Sequence, residues 1–521
     1  MEKKKRILEI AEWLIIITLM ITTSILAIMV KERLQAVKEM ANMQDSKLVL
    51  YQGPTSLKDA TEDDLKAAKE IEREFALLHS TSTSVKVNGY ECYVYETNVN
   101  HSRSWSADYM PSQSRTPITY FDFEGMANIE VTLSDMDLTS VKVSPVSAGI
   151  HPVIDETNNK VSFTITEHGN YTLTFNDSPA RALHIFANPI ETNKPSSEDE
   201  NVIYIGPGEW NIESITLEDN QTLYIAGGAV VHGIINANNA SNVKVMGRGI
   251  IDGSHYKTWG GSMAYIPLRF DNCDHVEISD IIVLNPNAWA LNSLSSKNET
   301  IDGVRIITSR PNGDGISLQS CENITVQNCF VRSWDDSLVV KNYVGDSSHI
   351  TFKNNQLWTD LAQSMEIGFE TNKASKDNAM ISDIIFEDIT VLNNFHKPVI
   401  SVHNADDAMI KDVIFRNITV ENAQMGSGDG AEIPYLIDLF ITQNANWSTT
   451  KERGQIRNIL IDGVKVLSGK FNGSRIKGYD STHTIEDVTI KNVEILGEKI
   501  ASFDQGKFEI DSETTKNLII E

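Results

Sequence analysis

The feature of this 521-residue sequence that most constrains its fold is a short pattern that recurs through its second half. Each copy reads apolar, any, apolar, any, and then Asn, Asp or Gly, and the copies are spaced by roughly 25 to 30 residues or about twice that. Seven copies occupy residues 276–280, 324–328, 350–354, 384–388, 413–417, 459–463 and 488–492. Alternating apolar residues form a strand with one buried face, and Asn, Asp and Gly tolerate the left-handed backbone of a bend. The repeat predicts a right-handed parallel β-helix over residues 195–521.

The region before the repeat follows a different pattern. Residues 118–123, 161–165 and 171–175 alternate apolar and polar side chains, and polar turn clusters such as residues 155–159 separate them. This period of two predicts a small antiparallel β-sandwich over residues 85–194. Charged and apolar residues at helical spacing, as in residues 65–72, predict a helical stalk or linker over residues 34–84. The expected fold class is therefore all-β apart from the N-terminus.

The N-terminus predicts export from the cytoplasm. Basic residues at positions 3–6 precede an uninterrupted apolar run over residues 13–30, which is about the length that spans a bilayer as a helix. The charge distribution favours a cytoplasmic N-terminus, so residues 1–33 are predicted to be a transmembrane anchor. A cleaved signal segment is the alternative, and both place the remaining chain outside the cytoplasm.

Charge and cysteine content exclude some partners. The formal net charge of -26 argues against nucleic acid, because phosphate binding needs clustered Lys and Arg. A local basic cleft could still attract an acidic substrate, since the field at a site depends on its own residues. The four cysteines show no C-x-x-C spacing, and no metal or cofactor is predicted.

Three aspartates within the repeat suggest a catalytic site. Asp314 precedes the pair Asp335 and Asp336 by 21 and 22 residues, which is close to one coil, so the two segments should stack about 4.8 Å apart. Asp335 and Asp336 can share one cleft only at a bend, because successive strand residues point to opposite sides. Crowded carboxylates keep a proton, which places a general acid beside a general base, as glycoside hydrolysis needs. A solvated acidic turn or a calcium site is the competing interpretation, and the aligned third aspartate favours catalysis.

Four motifs support a family resemblance. They are Gly247-Arg-Gly-Ile-Ile-Asp-Gly253, Asn285-Pro286 with Trp289, Asn312-Gly-Asp-Gly315, and Asp335-Asp336 with Lys341. Together they resemble the clan of β-helical glycoside hydrolases that contains family 28, the polygalacturonases, and family 49, the dextranases and isopullulanases, over about residues 201 to 500. The resemblance implies that Asp335 is the general acid and that Asp314 and Asp336 hold the nucleophilic water.

The sequence also departs from family 28. Where that family carries G-H-G, this chain reads Ala362-Gln363-Ser364, and its substrate-carboxylate motif R-I-K is replaced nearby by His396-Lys397-Pro398. Arg475-Ile476-Lys477 spells the tripeptide but lies much further along, as a chance match would. Asn355 and Trp358, followed by Gln363, resemble family 49 instead, as does the end of the predicted sandwich. The sequence motifs therefore do not identify the sugar of the substrate.

Further side chains near the aspartates are candidates for substrate binding. Tryptophans could stack on sugar rings or pack between coils, polar groups could bind hydroxyls, and a lysine could order the carboxylates. The predicted substrate-binding residues are Trp289, Trp334, Lys341, Gln363, Glu366 and His403.

The sequence as a whole predicts an inverting glycoside hydrolase that acts on an α-linked polysaccharide or oligosaccharide outside the cytoplasm. One alternative is a β-helical polysaccharide lyase, which needs a Lys or Arg base and usually calcium. Another is a non-catalytic surface protein that binds carbohydrate.

Overall fold

Strands make up nearly all of the regular structure in the computed structural model, which describes residues 46–59, 76–100, 114–256, 265–423 and 434–521. The first twelve strands are β1 (Lys47–Leu50), β2 (Leu78–His79), β3 (Thr83–Val87), β4 (Tyr90–Cys92), β5 (Tyr95–Val99), β6 (Ser114–Glu124), β7 (Ala127–Leu133), β8 (Val141–Ser144), β9 (Val153–Asp155), β10 (Lys160–Ile165), β11 (Gly169–Phe175) and β12 (Ser178–Pro189). Within the described ranges the helical segments are the α-helix α1 (Thr55–Asp59) and a 3₁₀ turn at Val146–Ala148.

These strands form two facing sheets around an apolar core. One sheet has the order β2-β5-β6-β12-β11-β8, with β1 also paired to β6, and the other has the order β4-β3-β7-β10-β9. Phe121, Phe123 and Leu173 of the first sheet pack against Ile129 and Phe163 of the second. Alternate residues of strands such as β7, β10 and β12 enter this core, which is the arrangement that a period of two predicts.

The structure differs from the sequence-based expectation at two places in this sandwich. The pair β6–β12 is parallel, not antiparallel. After β6 the chain crosses to the second sheet, so no hairpin forces β12 to run against β6. In addition, Lys47–Leu50 is an edge strand, although residues 34–84 were expected to form a helical stalk. Leu48 and Leu50 pack on the sandwich core, and this alternation is too short to be recognised in the sequence.

The remaining 31 strands form one continuous stack of coils. They are β13 (Val202–Ile205), β14 (Gly208–Leu217), β15 (Thr222–Ile225), β16 (Ala229–Asn238), β17 (Ser241–Gly247), β18 (Ile250–Asp252), β19 (Leu268–Asp271), β20 (Asp274–Ser279), β21 (Ile282–Leu284), β22 (Leu291–Leu294), β23 (Lys297–Asp302), β24 (Arg305–Ile307), β25 (Ile316–Gln319), β26 (Glu322–Gln327), β27 (Phe330–Ser333), β28 (Leu338–Lys341), β29 (Ser347–Lys353), β30 (Gln356–Thr359), β31 (Met365–Ile367), β32 (Met380–Glu387), β33 (Thr390–Asn394), β34 (Ile400–Asn404), β35 (Met409–Val420), β36 (Ile437–Ile441), β37 (Gln455–Val466), β38 (Ser474–Lys477), β39 (Ile485–Lys491), β40 (Val493–Ile495), β41 (Glu498–Ile500), β42 (Phe508–Ile510) and β43 (Thr515–Ile520). Most strands pair in parallel with the strand three positions later, and only the terminal β40–β41 pair is antiparallel. The prediction of an all-β fold with a large parallel solenoid is confirmed.

The bends between coils use the residues that the repeat predicted. Asn328, Asn354 and Asn417 adopt left-handed backbone conformations with φ near 55°, 52° and 58°. Their side chains also join neighbouring coils, because the Asn354 amide donates to Asn328 Oδ1 at 2.7 Å and the Asn417 amide donates to Asp388 Oδ1 at 2.8 Å. Asn therefore satisfies both the backbone geometry and the hydrogen bonding of the bend.

Two stacks of strands matter for the site. The site stack consists of β19, β22, β25, β28, β31, β34, β36 and β38, and the sandwich-facing stack consists of β18, β21, β24, β27, β30 and β33. Apolar side chains of the latter, such as Ile282 and Phe330, pack on Tyr95, Ile118 and Phe186 of the sandwich. The two parts of the chain are thus joined by a buried apolar contact on a side of the helix other than the site stack.

Among the described residues, none of the helices is long and apolar enough to cross a membrane. The predicted anchor at residues 1–33 lies outside the described residues.

A row of stacked phenylalanine rings in the interior of the β-helix allows a test of how the coils pack. Phe352, Phe386 and Phe415 are fully buried, and their ring centroids lie 4.6 Å and 5.0 Å apart with nearly parallel planes. We expect Phe386→Ala to leave a cavity between two rings and to lower the free energy of unfolding by about 3–5 kcal/mol in urea titrations. Ile385 on the same strand is only half-buried, so Ile385→Ala should lower it by about 1 kcal/mol. Equal losses in the two variants would contradict this description of the core.

Candidate active site

Residues from four successive coils form a row just before the N-terminal ends of β22, β25, β28 and β31 in the site stack. The Ala290 N–H donates to the Asp314 carbonyl at 3.0 Å, Gly315 N–H to the Asp336 carbonyl at 2.8 Å, and Ser337 N–H to the Gln363 carbonyl at 2.9 Å. These bonds continue the register of the strands that follow, in which Trp289, Asp314, Asp336 and Gln363 lie side by side along the helix axis. The distance of 21 to 22 residues between the aspartates therefore does correspond to one coil.

Asp335 joins this row because the chain bends there. The segment between β27 and β28 leaves the strand at Trp334, and the Ser333 hydroxyl donates to the Asp335 carbonyl at 2.7 Å. The Asp336 N–H donates to Asp335 Oδ1 at 3.1 Å, which holds the two neighbouring carboxyl groups on the same side. Asp314, Asp335 and Asp336 consequently line one cleft of about 710 Å³.

Burial shifts the pKa of all three carboxyl groups upward. Burial raises the pKa of Asp314 well above its usual range, and the charges of Asp335 and Asp336 add to the rise while Lys341 opposes it. Burial and the adjacent Asp335 raise the pKa of Asp336 to about 8. Burial also raises the pKa of Asp335, although Lys397 and Lys341 oppose that effect. The cluster therefore retains a proton at neutral pH, so that an acid and a base stand next to each other.

Lys341 lies between two carboxylates at the floor of the cleft. Its ammonium is 3.6 Å from Asp314 Oδ2 and 3.4 Å from Glu370 Oε2, and the Tyr343 hydroxyl donates to Glu370 Oε1 at 3.0 Å. Lys341 is only 6% exposed, and its ammonium also lies 5.5 Å from the Trp289 ring centroid. This placement suits the ordering of carboxylates better than direct contact with substrate.

The other predicted substrate-binding residues divide into two groups. Trp289, Trp334 and Gln363 line the cleft, and the Gln363 N–H donates to Asp336 Oδ1 at 3.2 Å. Glu366 and His403 do not line it and are almost completely buried beneath it. Their strand neighbours Met365, Ile367 and Val402 face the core, so Glu366 and His403 point away from the helix interior. The Phe369 ring stacks on His403 with the ring centroids 4.4 Å apart.

Glu366 and His403 begin a chain of alternating charge. His403 Nδ1 lies 2.9 Å from Glu366 Oε1, His403 Nε2 lies 3.1 Å from Asp438 Oδ2, and Arg475 donates two hydrogen bonds to Asp438. Burial lowers the pKa of His403, but the carboxylates of Glu366 and Asp438 outweigh it and raise the pKa to about 10. The Glu366 charge also contributes to the raised pKa of Asp336. Arg475 belongs to the tripeptide that resembled R-I-K. Its guanidinium is hydrogen-bonded to Asp438 and does not line the cleft.

Several cleft residues carried no signal in the sequence. They lie in loops that follow or precede strands of the site stack, where no repeat position identifies them. These residues are Tyr343, Phe369, Glu370, Lys373, Asn444, Asn446 and Trp447, whereas Lys397 belongs to the segment that stands in place of R-I-K.

Residues 210–430 match the family model described as "Glycosyl hydrolases family 28". This segment, which is less than half of the chain, is similar to the polygalacturonase-like β-helix family. It contains Asp314, Asp335 and Asp336, whereas Asp438, Trp447 and Arg475 lie beyond it.

Curated relatives cover part of the chain. A "Probable polygalacturonase" of Vitis vinifera is 26% identical over 193 residues, which are 29% of this chain and 39% of that protein. A "Polygalacturonase" of Brassica napus is 32% identical over 108 residues, which are 19% of this chain and 27% of that protein. The chain thus matches less than two fifths of the length of either polygalacturonase.

A solved structure extends the likeness of the fold to most of the chain. Dex49A from Penicillium minioluteum superposes with a TM-score of 0.56 at 14% identity, over 91% of this chain and 96% of that one. The likeness of fold therefore extends well beyond residues 210–430.

The buried imidazole of His403 provides a test of the charge chain. Its pKa is raised on folding from 6.5 to about 10, so its stabilising contribution is fully present below pH 6.5 and is lost as the pH rises toward 10. His403→Phe should lower the free energy of unfolding by about 3–5 kcal/mol near pH 6, because Glu366 loses its buried partner. The difference from wild type should shrink between pH 7 and pH 10 in urea titrations. A difference that is constant with pH would contradict a charged His403.

Proposed function

We propose that this protein is an inverting glycoside hydrolase that cleaves an α-linked, uronate-containing polysaccharide, with polygalacturonate as the first candidate. The observation that carries the proposal is the convergence of Asp314, Asp335 and Asp336, from adjacent coils, on one cleft where burial keeps a proton among them. An acid that protonates the leaving oxygen and a base that activates water are the two groups that inverting hydrolysis needs.

The roles follow the family resemblance of the motif. Asp335 protonates the glycosidic oxygen, and Asp314 and Asp336 hold a water on the opposite face of the sugar and accept its proton. The sugar configuration inverts because water attacks from the side opposite the leaving group. The Lys341 ammonium, 3.6 Å from Asp314 Oδ2, opposes the rise in the pKa of that carboxyl that burial causes.

Lysines at the cleft favour an acidic sugar. Lys373 is exposed, with its ammonium 4.7 Å from the Tyr343 ring centroid, and Lys397 lines the cleft close enough to Asp335 to oppose the rise in its pKa. Positive charge at these two places can attract a uronate carboxylate even though the whole chain carries a net charge of -26. Lys397 comes from the segment that stands where family 28 carries its R-I-K motif.

The site of action is proposed to be outside the cytoplasm. A polysaccharide does not cross the cytoplasmic membrane unaided, and the apolar run at residues 13–30 is suited to export as an anchor or a cleaved signal.

Replacing the proposed acid tests the reaction. Asp335→Asn should lower the release of reducing sugar from polygalacturonate by about 10² to 10⁴-fold and retain substrate binding. Asp383→Asn is the matched control, because Asp383 is exposed on the outer surface. In wild type, NMR of the first product should show the inverted anomer. An unsaturated, ultraviolet-absorbing product would indicate a lyase instead, and binding of carbohydrate without turnover would indicate a surface binding protein.

The sugar class is tested separately with Lys397. Lys397→Gln should raise KM for polygalacturonate by about tenfold, as expected for the loss of one charge pair near the surface, and should leave KM for the methyl-esterified polymer within about twofold. Lys353→Gln, which changes an exposed lysine paired with Glu387, should alter neither value. If wild type cleaves dextran, pullulan or rhamnogalacturonan in preference to polygalacturonate, the uronate proposal is wrong even though the hydrolase proposal stands.

A further inference from the structure

One segment beyond the family match reaches into the cleft. Residues 442–453, here called the arm, follow β36 and connect it to β37. Asn444, Asn446 and Trp447 of the arm line the same cleft as the three aspartates. Asp336 lies two residues before β28, and β36 lies three strands further along the site stack than β28. The arm therefore extends the cleft along the helix axis.

Trp447 differs from the other cleft tryptophans in its exposure. Trp289 and Trp334 are 6% and 2% exposed, as expected of side chains packed into the coils, whereas Trp447 is 40% exposed. A large apolar face left in water at the wall of a substrate cleft is a feature of binding sites. A flat aromatic face of this kind suits the C–H face of a pyranose ring, and the neighbouring Asn444 and Asn446 carry groups that can bind hydroxyls.

The arm is fixed in position by a buried carboxylate. Asp406 is fully buried, and its Oδ1 accepts hydrogen bonds from the Thr449 N–H at 2.7 Å and the Thr450 N–H at 2.9 Å. Its Oδ2 accepts from the Asn372 N–H at 3.2 Å, in the loop that also carries Glu370 and Lys373. Asp406 thus ties together two loops that border the cleft.

A second buried charge holds the base of the arm. Arg453 is 4% exposed and donates to the Ser448 hydroxyl at 2.9 Å and to the Thr442 carbonyl at 3.2 Å. Because both ends of the arm are held before any ligand arrives, stacking on Trp447 needs little further ordering of the chain.

We infer that Trp447 is a stacking platform for a sugar ring of the substrate, at a subsite separate from the one where the bond is cleaved. This inference rests on the proposed function for the identity of the ligand as a polysaccharide. A platform away from the scissile bond binds only chains long enough to reach it, so its contribution should depend on the length of the substrate.

The kinetic test uses oligogalacturonides of increasing length. Trp447→Ala should raise KM for long oligomers by about tenfold, with kcat within about twofold, and should leave the shortest cleaved oligomer unchanged. Trp447→Tyr should restore most of the affinity, because it keeps a flat aromatic face. Trp210→Ala is the matched control, since Trp210 is 43% exposed on β14 and does not line the cleft. Equal KM values for Trp447→Ala and wild type on long oligomers, or an equal rise at every length, would overturn the inference.

A binding measurement separates this inference from the proposed function. The full chain carrying Asp335→Asn is run by affinity electrophoresis in gels that contain polygalacturonate, dextran, pullulan or rhamnogalacturonan. We expect one polymer to retard it and the additional Trp447→Ala change to remove most of that retardation. Absence of hydrolysis by wild type would refute the proposed function, while retardation by any polymer that depends on Trp447 would still support the platform. Retardation that is independent of Trp447, or no retardation at all, would refute the platform.

Discussion

Hydrogen bonding between equivalent residues of neighbouring coils is the constraint on which the rest of this structure depends. Once coils stack in register, any residue type that recurs in the sequence becomes a continuous row in space. The row of Phe352, Phe386 and Phe415 fills the interior, and asparagines such as Asn328 and Asn354 form ladders at the bends. The same register brings Asp314 and Asp336 together at the cleft.

Burial then gives this row its chemical character. Carboxyl groups that would be ionised in water retain protons in the cleft, since neither solvent nor a sufficient number of cations stabilises their charges. Beneath the cleft, burial does not neutralise the buried groups. Glu366 and Asp438 each contact the His403 imidazole and keep it charged. Two layers of the same stack therefore differ in their electrostatics: the carboxyl groups of the cleft have raised pKa values, whereas the groups beneath it form ion pairs.

The sandwich is attached away from this chemistry. It packs on the sandwich-facing stack, where the buried Arg332 guanidinium pairs with Asp360 and lies 4.5 Å from the Trp358 ring centroid. Among the described residues, those that line the cleft all come from the β-helix and its loops. The sandwich thus covers a side of the coils that would otherwise expose apolar residues such as Phe330 and Leu284.

The sequence alone was sufficient to predict the parallel solenoid, the bends at asparagine and the proximity of Asp314 to Asp335 and Asp336. These features follow from a local period and a spacing of one coil. It was not sufficient for the strand Lys47–Leu50, for the burial of Glu366 and His403, or for the arm that carries Trp447. Each of these depends on which distant segment lies opposite, and no period along the chain encodes that. The repeat determined where the carboxylates stand, and only the tertiary structure decided what surrounds them, because loops between coils are positioned by single contacts such as Asp406 with Thr449.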